Sequence, residues 1–197
     1  AKADKFDASK LAKAQLFNTY FGYDMSSIVF QEIRESKSLA YVAYSAYSSA
    51  SDKDNSDYSF AYIQTQSNKL PQAVDAMMEL MNDMPEVAPL FEASKKSTLK
   101  KIAAQRITKS NIFWTYEALK KRGIDHDNRK EIYEEIEKMT LPDLRAFFEN
   151  SVKGKDYTAL VIGNKKDIDF TALSKLGEVK ELEIDYLFNY SNSPVKQ

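Results

Sequence analysis

An arginine and a tyrosine stand seven positions apart in Met25-Ser26-Ser27-Ile28-Val29-Phe30-Gln31-Glu32-Ile33-Arg34-Glu35-Ser36-Lys37-Ser38-Leu39-Ala40-Tyr41. A helical pattern ends at Arg34, and an alternating run begins at Tyr41. A guanidinium and a phenol paired in this way could both address a carbonyl oxygen, one through charge-assisted hydrogen bonds and the other as a neutral donor. A plainer account also fits. Arg34 falls in the last turn of a predicted helix, where a cation meets exposed carbonyls, and Tyr41 could simply pack its ring at the start of a strand. Spacing alone does not choose between them.

Other chemistry is bounded by the residue types present. With no cysteine there is no thiolate, disulfide or cysteine-ligated metal; cytoplasm and periplasm both stay open. A single histidine cannot build the two- or three-histidine zinc sites of hydrolases, nor a paired HxxEH motif. A Ser-His-Asp triad would have to use His126, which lies in the polar stretch Gly123-Ile124-Asp125-His126-Asp127-Asn128 and reads as a solvated loop residue. Glu134 and Glu135 sit on a charged helix surface and nothing marks them as an acid/base pair. Lys95, Lys96, Lys100, Lys101, Arg106 and Lys109 fall mostly opposite Leu99 and Ile102, as a solvated helix face would. A net charge of −1 gives no reason to expect nucleic acid. Accordingly the tyrosines at 41, 44, 47, 58 and 62 are read as a sheet face covered by helices, not as a base-stacking platform. No apolar run is long enough to span a bilayer, so no membrane insertion is expected, and no signal-peptide pattern opens the chain.

The elements that must position these residues follow from periodicity. Ser9 to Phe21 reads as a helix with Ala12, Leu16, Phe17 and Tyr20 inward and Gly22 as its stop. Asp24, Ser26 and Ser27 offer caps for a second helix to about Glu35, with Val29, Phe30 and Ile33 inward. The runs 41–48 and 58–65, joined by the polar turn 51–57, predict an antiparallel hairpin. From Leu70 the period becomes helical, with Ser67 or Asn68 as cap, Pro71 in the first turn, and Val74, Met77, Met78 and Met81 on one face. The methionines, with Met84, are expected as core filler. Further helices are predicted from Pro89, carrying Phe91, Leu99, Ile102 and Ile107, then over 112–121, stopped by Gly123, and over 128–138. Thr140-Leu141-Pro142-Asp143 is a capped start to another, with Leu144, Phe147 and Phe148 inward. Asp156 to Gly163 predicts a short apolar strand, 170–176 a short helix, and 179–184 a last strand; 189–197 looks like a loose tail. Length, order and the absence of a linker predict a single α+β domain over 1–197, an antiparallel sheet covered by helices. Hairpin, helix and strand are what remains of a split βαβ, ferredoxin-like unit lacking its first strand, because Ala1 to Phe6 is too short and polar to read as one.

The segment from Ile28 to Tyr41 resembles one in the second half of zinc metallopeptidases of the pitrilysin/insulinase family, where leucine-arginine is followed by variable positions and then leucine, a small residue and tyrosine. Tyr20-Phe21-Gly22, Met139-Thr140-Leu141-Pro142-Asp143-Leu144 and Leu160-Val161-Ile162-Gly163-Asn164 are similar to further segments of that half, in order, over most of Leu11 to Gly163. Ile33 replaces the usual leucine, and Tyr23-Asp24 departs from a glycine-rich turn; neither touches the proposed site. The family's HxxEH lies in its other half, and no trace of it exists here.

The resemblance implies a fragment of a larger protein, inactive alone. Its partner would be an HxxEH-bearing domain, of the same protein or another chain, which would hold the zinc; no cofactor is expected in this chain. Between the two halves an unstructured peptide substrate would bind. Arg34 and Tyr41 would contact the substrate carbonyl and the oxyanion formed as zinc-bound water attacks. The alternative is a non-catalytic scaffold or assembly subunit on the same fold. A third reading is an unrelated α+β binding module. A missing first strand would leave unpaired backbone groups in the sheet, and so predicts association with the partner or with a second copy.

Overall fold

The computed structural model describes residues 1–188. The first helical stretch is built in three windings: a 3-10 turn at Ala8–Lys10, α1 (Leu11–Phe17), and a π-helical turn at Asn18–Tyr23. Ala12, Leu16, Phe17, Tyr20 and Phe21 are all buried along it, so the predicted apolar face is the observed one. Gly22 does not stop the helix, which continues to Tyr23. Its role is close approach: a Cβ at Gly22 would lie 1.8 Å from the Ser45 carbonyl oxygen, so any side chain there would push this helix off the sheet.

A second helical segment crosses Ile28 and Val29 into a π-helical stretch at Phe30–Ser36, with Ile33 buried. The Ser27 hydroxyl accepts from the Phe30 amide at 3.4 Å, the cap anticipated there. Strands β2 (Val42–Ser48) and β3 (Ser56–Gln64) form the predicted hairpin, with Tyr44 opposite Tyr62 and Ala46 opposite Phe60. Tyr41 lies in a bend just before β2, its amide already donating to the Gln64 carbonyl at 2.8 Å.

The first strand is present, against expectation. β1 (Lys2–Lys5) pairs antiparallel with β3, Lys2 opposite Tyr58 and Lys5 opposite Ser56, giving a sheet of order β1-β3-β2. Pairing is a backbone property, and four polar residues can satisfy it. The N-terminal ammonium donates to the Ser59 carbonyl at 2.7 Å, and only Ala3 packs against the core. The vacant place expected beside β3 is therefore filled, and self-association through it loses its premise. At the other edge, the Asn18 carboxamide donates to the Tyr47 carbonyl (2.9 Å) and accepts from its amide (2.8 Å), so a side chain satisfies part of the free edge of β2.

Helices α2 (Leu70–Asn82), α3 (Ala88–Ala104), α4 (Ile112–Lys121), α5 (Arg129–Lys138) and α6 (Leu141–Ser151) fall where periodicity placed them. Met77, Met81 and Met84 are core, though Ala73, Ala76 and Leu80 share the buried face of α2 more fully than Val74 or Met78. A 3-10 turn at Ser67–Lys69 precedes α2 in place of a Ser or Asn cap. In α3 the stripe is Phe91, Ser94, Thr98 and Ile102, while Ile107 lies beyond the helix. Thr140 and Asp143 form the expected capping box, and Leu144, Phe147 and Phe148 are buried. Phe147 packs against Phe17 at 5.5 Å and Tyr47 at 5.1 Å between ring centroids, joining α6, α1 and the sheet in one core.

Three expectations fail. The run 156–163 forms no strand: Leu160 and Ile162 are 73% and 90% exposed, and only Tyr157 is anchored, its hydroxyl donating to the Val152 carbonyl and meeting Ser59 Oγ at 3.0 Å. An apolar run has strand propensity, but a strand exists only where a neighbour supplies a ladder. Residues 179–183 are irregular, and α8 (Ile184–Phe188) follows α7 (Phe170–Ser174) where a last strand was expected. The tyrosines are divided rather than covered. Tyr47 points inward and is buried, whereas Tyr44, Tyr58, Phe60 and Tyr62 line a sheet face left open, with Tyr23 stacked on Tyr44 at 5.6 Å. The predicted tail 189–197 lies outside the described residues.

Candidate functional site

Arg34 lies in the last turn of the π-helical stretch, and Tyr41 stands just before the hairpin, five residues after that stretch closes. The fold brings them together: the Arg34 guanidinium carbon lies 5.6 Å from the centroid of the Tyr41 ring. It also lies 4.8 Å from the ring of Phe30, one helical turn earlier. A planar cation with aromatic rings as neighbours loses fewer orientations than one free in water, and keeps N–H groups for a ligand. Glu35 is the only carboxylate paired with it among the described residues, at a loose 3.6 Å. The Tyr41 side chain is open to solvent, with the residue 74% exposed. Chemically this is an outward-facing donor pair, one charged and one neutral. It suits an oxygen acceptor such as a peptide carbonyl or carboxylate.

The sequence places Phe30 inward, but it is only half-buried and lies outside the core cluster, beside Arg34. The signal was present, since residues four apart on a helix are surface neighbours. Thr65 and Lys69, which donate to the Leu39 and Ser38 carbonyls between Arg34 and Tyr41, were unreadable because those carbonyls lie far away in the sequence.

The pair sits on open surface. Two hollows, of about 310 and 600 Å³, lie elsewhere on the molecule: one is lined by residues including Asn18, Tyr47, Arg122 and Asn128, the other by Lys2, Lys5, Ser51 and Tyr58. Neither is lined by Arg34 or Tyr41, so these two residues alone enclose no substrate.

His126 is exposed, as anticipated, between Asp125 Oδ1 and Glu131 Oε1, both at 2.8 Å. Its pKa is raised, first by the hydrogen bond to Asp125 and then by Glu131. No group of three histidine, aspartate or glutamate side chains able to hold a metal is found among the described residues. The described residues include no helix long and apolar enough to cross a membrane.

The family model described as the peptidase M16 inactive domain matches residues 3–86, which include nearly all of the sheet and both Arg34 and Tyr41. No curated protein matches the chain. Among solved structures, a peptidase M16 inactive domain from Pseudomonas fluorescens superposes with a TM-score of 0.56 at 14% identity, over 76% of this chain and 35% of that one. A conserved protein from Enterococcus faecalis V583 gives a TM-score of 0.60 at 15% identity, over 80% of this chain and 39% of that one. The chain thus spans less than half the length of either, and at these identities the likeness is one of fold. Over residues 3–86 the chain is similar to the peptidase M16 inactive domain, and with the two solved structures it shares an α+β fold.

Proposed function

We propose that the chain supplies substrate binding and transition-state stabilisation to a separate, zinc-bearing HxxEH domain, of the same protein or a partner chain, in the hydrolysis of an unstructured peptide. The observation that carries this reading is the juxtaposition of Arg34 and Tyr41 on an open surface, one N–H-rich cation against one phenol. In this reading the partner domain holds the zinc. What this chain's residues do is local. Arg34 holds the carbonyl oxygen of the bond to be cut through charge-assisted hydrogen bonds. Tyr41 donates a hydrogen bond that strengthens as negative charge develops on that oxygen, which is where a fixed donor accelerates a reaction.

The test is zinc-dependent cleavage of an unstructured peptide by the intact parent, beside its Tyr41→Phe variant. Loss of one such donor lowers turnover by about 10²–10³, with KM little changed because the bond matters most in the transition state. A fully active variant removes Tyr41 from the site.

A second reading, a non-catalytic scaffold or assembly subunit, is favoured by another observation. Ile112, Phe113 and Trp114 at the start of α4 are 57%, 60% and 69% exposed, more apolar surface than an isolated helix end ordinarily shows. A parent that stays inert with zinc supplied would select it.

A further inference from the structure

The backbone between Arg34 and Tyr41 is held in a conformation it would not adopt unaided. Ser38 has a φ of 49°, the only positive value at a non-glycine residue among the described residues. A residue with a Cβ enters that region rarely, and stays there when its surroundings over-determine it. Here the surroundings are two side chains from outside the segment. The Lys69 ammonium donates to the Ser38 carbonyl at 3.0 Å, and the Thr65 hydroxyl donates to the next carbonyl, that of Leu39, at 2.6 Å. From within, the Leu39 amide donates to the Ile33 carbonyl at 2.9 Å. The strap thus leaves the π-helical stretch, reverses at Ser38 and enters the hairpin with the Ser38 and Leu39 carbonyls both taken.

We propose that Thr65 and Lys69 are positioning residues for the Arg34–Tyr41 pair, clamping the left-handed turn at Ser38 so that the Tyr41 ring is delivered onto the Arg34 guanidinium. This deepens, and rests on, the reading of Arg34 and Tyr41 as substrate-contacting residues. Its physical basis is preorganisation: two donors act on one oxygen only if their separation is set before the ligand arrives, and small misplacements are costly in rate. Neither clamp is local. Thr65 follows β3 and Lys69 precedes α2, whose Met77 and Met81 are buried in the core, so the separation is referred to the rigid part of the fold.

The experiment uses this chain with labelled arginine and tyrosine side chains. Nuclear Overhauser contacts between the Tyr41 ring and the Arg34 side chain, the ring-current shift of the Arg34 Nε–H and exchange of the Tyr41 amide are compared in wild type, Thr65→Val, Lys69→Met, the double variant and Lys69→Arg. The wild type shows the contacts. The double variant loses them, its Arg34 signal moves to the position of a solvated arginine, and the Tyr41 amide exchanges about 10-fold faster or more as the strap opens locally. Lys69→Arg, which keeps a donor, restores the signals. Retention of contacts and shift in the double variant overturns the clamp. Should the double variant lose its signal dispersion, the two single variants decide by the same measurements. The two levels fail separately: a fully active Tyr41→Phe parent ends the catalytic reading and leaves this geometry intact, whereas unchanged signals here end the clamp alone.

Discussion

Tyr47 shows how one side chain can hold several parts of the hairpin. Its hydroxyl donates to Asp57 Oδ2 at 2.9 Å, and the other oxygen of that buried carboxylate accepts from the Ala50 amide at 2.8 Å, across the turn joining β2 to β3. Burial, then the hydrogen bond and charge of Asp57, raise the Tyr47 pKa far above that of a free phenol. Tyr20 and Tyr157 are raised as well, chiefly by burial. A phenol with a raised folded-state pKa contributes stability that is complete below the unfolded value of about 10 and is lost as pH climbs beyond it. The melting temperature should therefore hold through neutral pH and fall above about pH 10, with Tyr47→Phe flattening part of that alkaline fall. The same variant leaves Asp57 short of a donor in the interior. We expect it to cost about 1–3 kcal/mol at pH 7 by urea unfolding; an unchanged midpoint would mean that water replaces the hydroxyl.

At the scale of elements, helix ends were the most legible features. Thr140 and Asp143 read as a capping box in the sequence and form one, the Thr140 amide donating to Asp143 Oδ2 at 2.8 Å. Because α6 carries Leu144, Phe147 and Phe148 into the core, its start is coupled to global stability. Thr140→Ala is expected to lower stability by about 1 kcal/mol, seen as a shift in thermal midpoint; Thr140→Ser, which keeps the acceptor, should lose far less. Strands were less legible. The β2–β3 hairpin announced itself by alternation and a polar turn, whereas β1 was too short to alternate and 156–163 was apolar without acquiring a ladder.

Across the whole molecule, apolar surface is distributed unevenly. One face of the sheet and the helices around Phe17, Phe21, Phe147 and Phe148 are dry, while the start of α4 and the aromatic face of β2 and β3 stay open. Open apolar surface of this kind is what association with another domain or chain would cover. Trp114, the single tryptophan, reports on it directly. In this chain at low concentration its emission should be that of a solvated indole, readily quenched by acrylamide. Addition of the zinc-bearing partner should shift the emission to the blue and protect it, if the partner covers α4. Quenching unchanged in an assembled complex would locate the interface elsewhere.

The sequence by itself determined the helices, the hairpin and the caps, because each of these is written in local periodicity and spacing, whereas Arg34 and Tyr41 were singled out by resemblance. It also bounded the chemistry, since one histidine and no cysteine cannot make a hydrolase's zinc site. Only the tertiary structure decided which residues meet. Gly22 reads locally as a helix stop and proves to be a contact with Ser45; Thr65 reads as the end of a strand and Lys69 as the approach to a helix, and both donate to carbonyls of the strap between Arg34 and Tyr41. In each case the deciding partner is a backbone carbonyl brought close by folding, and neither hydrophobic period nor residue type records where a carbonyl will be.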